Sequence, residues 1–191
     1  TNPGPIYSNP VRAPEITQQQ IASAAYFGPE STMVGRKLDE INKDYFALQS
    51  SINRMSEQLR SIQTRNRDVA AGYYASIATI NTQLQSGTTP GNPRLIAKLD
   101  VAQNNLDVLA NNINALNNMA VELANAASQA TFLVENVRAA FSLSGAIEED
   151  HARLAMIEDQ VNNTMVTIDR LLNNVNDDIT RTNAYVASER N

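Results

Sequence analysis

Between Leu95 and Phe141 apolar residues return at spacings that alternate between four and three: Leu95, Leu99, Ala102, Leu106, Leu109, Ile113, Leu116, Ala120, Leu123, Ala127, Ala130, Val134, Val137 and Phe141. A 3.5-residue period marks a helix whose narrow seam packs on other helices. The positions between are polar and rich in asparagine, among them Asn104, Asn111, Asn114, Asn118 and Asn125. This stretch constrains the architecture and names no chemistry.

Two more stretches carry the same pattern. One runs through Leu38, Ile41, Tyr45, Leu48, Ile52, Met55, Leu59, Ile62, Asn66, Val69, Tyr73, Ser76 and Ile80. The other runs through Ile147, His151, Leu154, Glu158, Val161, Met165, Ile168, Leu172, Val175, Ile179, Thr182 and Val186. The first two are separated by Gly87-Thr88-Thr89-Pro90-Gly91-Asn92-Pro93, a strong turn signal that leaves Pro93 at the first turn of the next helix. The second boundary is Ser144-Gly145 followed by Glu148, Glu149 and Asp150. Acids there face the positive end of a new helix.

Residues 1–15 hold Pro3, Pro5, Pro10 and Pro14, which predicts an extended tether, and a short helix is expected over about 16–27 before Gly28-Pro29. The expected organisation is therefore a Pro-rich tether with a short helix over 1–30 and a helical bundle over 31–191. Its helices are expected at about 31–86, 93–143 and 146–191. The predicted fold is all-α: an elongated antiparallel three-helix coiled-coil bundle, up-down-up, with an extended Pro-rich N-terminal arm and a short N-terminal helix. The alternative keeps the second and third helices continuous through Gly145, which would require oligomerisation. A turn at Pro90-Gly91 pairs Ile62 with Ala120 and Met55 with Ala127; a turn near Ser144 pairs Ala127 with Val161 and Leu116 with Leu172.

Composition limits function. The chain is 42% hydrophobic but only 5% aromatic with no Trp, so its core is Leu, Ile, Val and Ala. A net charge of −5 argues against nucleic acid, whose binding rests on phosphate neutralisation by Lys and Arg, and against direct adsorption to an anionic membrane. With no Cys, a disulfide or thiolate metal site is excluded. The chain opens on Thr1 and stops at Asn191 with the pattern still running, so it reads as a piece of a longer protein.

Candidate sites are few. His151 is the single histidine, on the stripe with Glu148 one turn back. A metal needs three or four ligands, so it reads as a polar seam residue, as does Glu158 one heptad on. Asn66, at an a position, either fixes register by pairing or faces the bundle edge. Tyr74 falls off the stripe and, with the face carrying Asn111 and Asn118, is a possible interface. The bland alternative for that face is uncharged helix surface. No nucleophile triad, phosphate loop or nucleotide fingerprint appears. No catalytic, cofactor or metal residue is assigned, and no cofactor is expected.

The run from Ala140 through Phe141, Ser144, Gly145, Glu148 and Asp150 to His151, with Asp169-Arg170-Leu171-Leu172-Asn173 after it, resembles a group of bacterial cell-envelope coiled-coil proteins, periplasmic and lipoprotein-like. In that group a helical segment precedes a small α/β domain of the outer-membrane-protein-A type. The resemblance covers about residues 95–191 and implies a periplasmic or cell-envelope location, with membrane attachment only through a tether outside this chain. The expected function is a non-enzymatic structural spacer or assembly module. The alternative is a helical adaptor that recruits a partner protein along an exposed groove. Expected partners are other proteins, including self-association.

Overall fold

The computed structural model describes residues 33–143 and 148–191. The expected tether and short helix of residues 1–30, and the reversal at Gly145, lie outside the described residues. Among the described residues the protein is all-helical, with no strand. Helix α1 is Met33–Gln85, 53 residues long. Helix α2 is Pro93–Phe141 with 49 residues, and α3 is Glu148–Arg190 with 43.

The first connection follows from its residues. Thr88 N–H donates to the Gln83 carbonyl at 3.0 Å and Gly87 N–H to Leu84 at 3.2 Å. This crossed pair is a Schellman cap, which needs a left-handed residue at its glycine position. Gly87 supplies it with φ 96°. Five residues on, Asn92 caps α2: its Oδ1 accepts from Arg94 N–H at 2.9 Å, and Pro93 opens the helix where no amide is needed. A Cβ at Gly87 would touch nothing within 4 Å, so only the backbone opposes it. Gly87→Ala is expected to cost about 1–2 kcal/mol in a urea titration, the usual penalty of the left-handed region.

Compactness divides the chain into two units, each drawing on all three helices. The described part of unit 1 is residues 58–119 and 175–191. Its interior is aliphatic, with Leu59, Leu109, Leu116 and Val175 fully or nearly fully buried, and Ala70, Tyr73, Ala102, Leu106, Leu109 and Val186 form one cluster. The described part of unit 2 is residues 33–57, 120–143 and 148–174. There Ile41, Met55, Leu123, Val137, Leu154, Ile157, Val161 and Ile168 are the large buried side chains.

The seam of α1 is buried as its spacing predicts, from Leu38 to Leu59 and again at Asn66 and Tyr73. In α3 half of the expected stripe is buried where the spacing puts it, at Leu154, Val161, Ile168, Val175, Thr182 and Val186, and the rest of the described stripe is displaced by one residue. His151 is exposed, and Glu158, Met165, Leu172 and Ile179 are only half-buried. Asp150, Ile157, Thr164, Leu171 and Asp178 are buried in their place. A helix that meets two neighbours buries a wider face than an a/d seam, and the residue beside each a position joins it. Part of α2 shows the same widening, with Leu133 and Val134 both buried.

Pairing is shifted as well. The turn expected at Pro90-Gly91 places Leu116 beside Asn66, but Asn112 is there, one turn nearer the loop. The reason lies in the helix ends: between Gln85 and Pro93 the loop is centred on Thr89. In unit 2, Phe141 meets His151 with ring centroids 5.4 Å apart, rather than the neighbourhood of Ile147.

Candidate functional site

The polar side chains that enter the interior are the most distinctive chemistry of each unit. In unit 2, Gln49 is buried on α1 one turn after Tyr45. Its Nε2 donates to Tyr45 Oη at 2.8 Å and to Thr164 Oγ1 on α3. Thr164 Oγ1 in turn donates to the Gln160 carbonyl at 2.9 Å. Burial pushes the Tyr45 phenol above its usual range, and its bonds with Thr164 and Gln49 pull it partly back. At the surface of the same unit, Arg54 meets Glu122 at 3.3 Å and Arg138 meets Glu158 at 3.5 Å. Such exposed pairs contribute little to stability.

In unit 1 a buried amide pair and a part-buried amide–carboxylate contact join the helices. Asn112 Nδ2 donates to Asn66 Oδ1 at 2.5 Å, joining α2 to α1. Gln63 Nε2 donates to Asp178 Oδ2 at 2.7 Å, joining α1 to α3. Asp178 is 4% exposed. Burial raises its carboxyl above the ordinary value of 3.8, while Gln63 and Arg181 act the other way and Asp177 adds to the rise. The native state thus holds this proton to a higher pH than the unfolded chain does. The stability linked to it is present below pH 3.8 and is lost as pH rises through the native value. Asp178→Asn keeps an acceptor for Gln63 without the buried charge. A higher Tm than the parent is expected at about pH 7, with the difference shrinking toward pH 3. A lower Tm at neutral pH would show that Arg181 outweighs burial.

Near the end of α3, Tyr73 Oη donates to Glu189 Oε2 at 2.9 Å, and Arg190 meets Asp107 at 2.8 Å. The Tyr73 ring stands edge-on to Tyr185, with centroids 6.1 Å apart at 80°. Burial, then the hydrogen bond with Glu189 and its charge, pushes the Tyr73 phenol to about 12. Tyr73, Asp107, Glu189 and Arg190 border an open pocket of about 510 Å³ whose apolar wall is Ile77, Leu99, Ala102 and Leu106.

The sequence-based candidates scatter. Asn66 is buried and bonded to a residue that spacing did not single out. Tyr74 is 48% exposed on α1, while Asn111 and Asn118 are exposed two turns apart on one face of α2. His151 and Glu158 lie outside the buried row, and Glu158 serves an ion pair. Periodicity missed Gln49, Gln63, Asn112, Thr164 and Asp178. One signal was there to read: Thr164 and Asp178 fall in heptad step with Ile157 and Leu171.

Among the described residues no cluster of three or more His, Cys, Asp or Glu is placed to hold a metal ion, and no helix is long and apolar enough to cross a membrane. Over the described residues the fold defines a class, an all-helical bundle of three long helices. No protein-family model matches the chain, and comparison with curated proteins and with solved structures finds no match either.

Proposed function

We propose that this protein is a non-enzymatic structural module of the bacterial cell envelope, a spacer or assembly element built from up-down-up helices. The observation that carries the structural half of this reading is the order of the contacts. In unit 1, Asn66 meets Asn112 and Gly72 approaches Asn105, so later residues of α1 meet earlier residues of α2. In the same unit Gln63 meets Asp178 and Tyr73 meets Glu189, at sequence separations of 115 and 116. A constant separation supports α1 and α3 running the same way within unit 1. In unit 2, Arg138 meets Glu158 and Phe141 meets His151, an order that supports α2 running against α3. These contacts favour the reversal near Gly145 over a continuous rod.

The interior residues join helices to one another: an aliphatic seam punctuated by Gln49–Thr164, Asn66–Asn112 and Gln63–Asp178. Buried polar pairs of this kind select one register among the many an aliphatic seam allows. The resemblance of Ala140–His151 to envelope coiled-coil proteins supplies the location, with attachment through a tether outside this chain. Fractionation of the native host, probed with an antibody to the chain, tests it. Recovery with the envelope is expected; recovery wholly in the cytosol overturns it. A second reading, a helical adaptor that recruits a partner protein, is favoured by the apolar pocket beside Leu99.

A further inference from the structure

We propose that the α1–α2 hairpin beyond the end of α3 docks face to face with the same hairpin of a second copy of this chain. The proposal deepens the assembly role above and rests on its helix directions. All of the residues concerned belong to unit 1.

The last residues of α3 lie beside Tyr73 and Asp107, through Glu189 and Arg190. Helix α1 continues from that level to Gln85, and α2 begins before it at Pro93. Among the described residues, roughly three turns of each helix therefore have no third helix beside them. The apolar seam does not stop there. Ile77 and Ile80 are half-buried, and Leu84, Ile96 and Leu99 are 39%, 47% and 45% exposed. The groove they line continues the seat that α3 occupies, and the 510 Å³ pocket is its near end.

Continuity with that interface says that helices cover the groove. Area decides which. A single helix of three turns offers about three anchors, well short of the ~800 Å² per partner of a stable interface. Two hairpins laid face to face and antiparallel make a four-helix bundle that seals both grooves at once and about doubles the buried area. The two-fold relation closes, so it yields a dimer rather than a filament. Charge on the hairpin is sparse: α1 carries none from Ala75 to Gln85 and the loop none from Ser86 to Asn92, where it meets the partner's α3 end, while α2 adds Arg94, Lys98 and Asp100.

Light scattering on the chain over about 1–100 μM tests this. Concentration-dependent dimer is expected. Leu99→Glu is expected to weaken association by about tenfold or more, because the new charge is desolvated at the interface. Leu99 is already half exposed, so helix content measured by circular dichroism stays at the parent value. Val101→Glu, on the far side of α2 and 51% exposed, leaves the dimer intact. A monomer at every concentration overturns the proposal, as does a dimer indifferent to Leu99→Glu. A monomer that takes up a synthetic amphipathic helix in a Leu99-dependent way overturns it in favour of a single-helix partner. Gln63→Cys with Asp178→Cys, in a chain otherwise free of Cys and treated with a short bis-maleimide that spans the distance a Gln–Asp contact sets, separates the two levels. An intramolecular cross-link places the fault in the dimer; its failure places the fault in the helix arrangement.

Discussion

Replacing Leu116 with alanine is expected to lower the unfolding free energy by about 2–5 kcal/mol. Leu116 lies on α2 in unit 1 and is 0% exposed. Truncation removes the transfer energy of three methyl-equivalents and leaves a cavity that long, straight helices cannot collapse to fill. Against a total stability of about 5–15 kcal/mol for a domain, this is a large share. A urea titration followed by circular dichroism reads it as a lower midpoint at unchanged slope. Val121→Ala is the control: Val121 is 62% exposed, and its change should stay within about 0.5 kcal/mol. Equal effects at the two sites would mean that burial does not govern this seam.

The second large effect comes from Asn66. It is fully buried, and its Oδ1 accepts from Asn112 Nδ2. Asn66→Leu leaves that donor inside the bundle without its acceptor, which costs about 1–3 kcal/mol. Adding Asn112→Leu removes the donor as well. The double variant is expected to recover to near the parent midpoint or above it, since an apolar pair carries no desolvation penalty. A double-mutant cycle in urea isolates the coupling. What the double variant loses is specificity: without the amide pair the aliphatic seam tolerates slipped registers, and its unfolding transition should broaden. Additive losses in the cycle would deny the pair any coupling.

Much of the secondary structure is legible before folding is considered. The loop between α1 and α2 announces itself through Gly87, Asn92 and Pro93, each with a local reason to stop or start a helix. The α1 seam from Leu38 to Leu59 is equally plain, because its a and d positions are all large and apolar. The candidate contacts are harder to read. Thr164 and Asp178 look like surface residues by type, and the cross-helix partners that help make their burial tolerable are Gln49 and Gln63. Those partners lie 115 residues away, so no local window contains both.

The sequence alone determined that this protein forms three long helices, because periodicity and caps act within a few residues of themselves. The tertiary structure decided which of two adjacent rows joins the interior along part of α3, and so why Ile157 and Leu171 are inside while His151 is not. Neighbouring positions on a helix lie only about 100° apart. When a seam is broad enough to touch two helices, both rows are near it, and the choice belongs to where the neighbours stand.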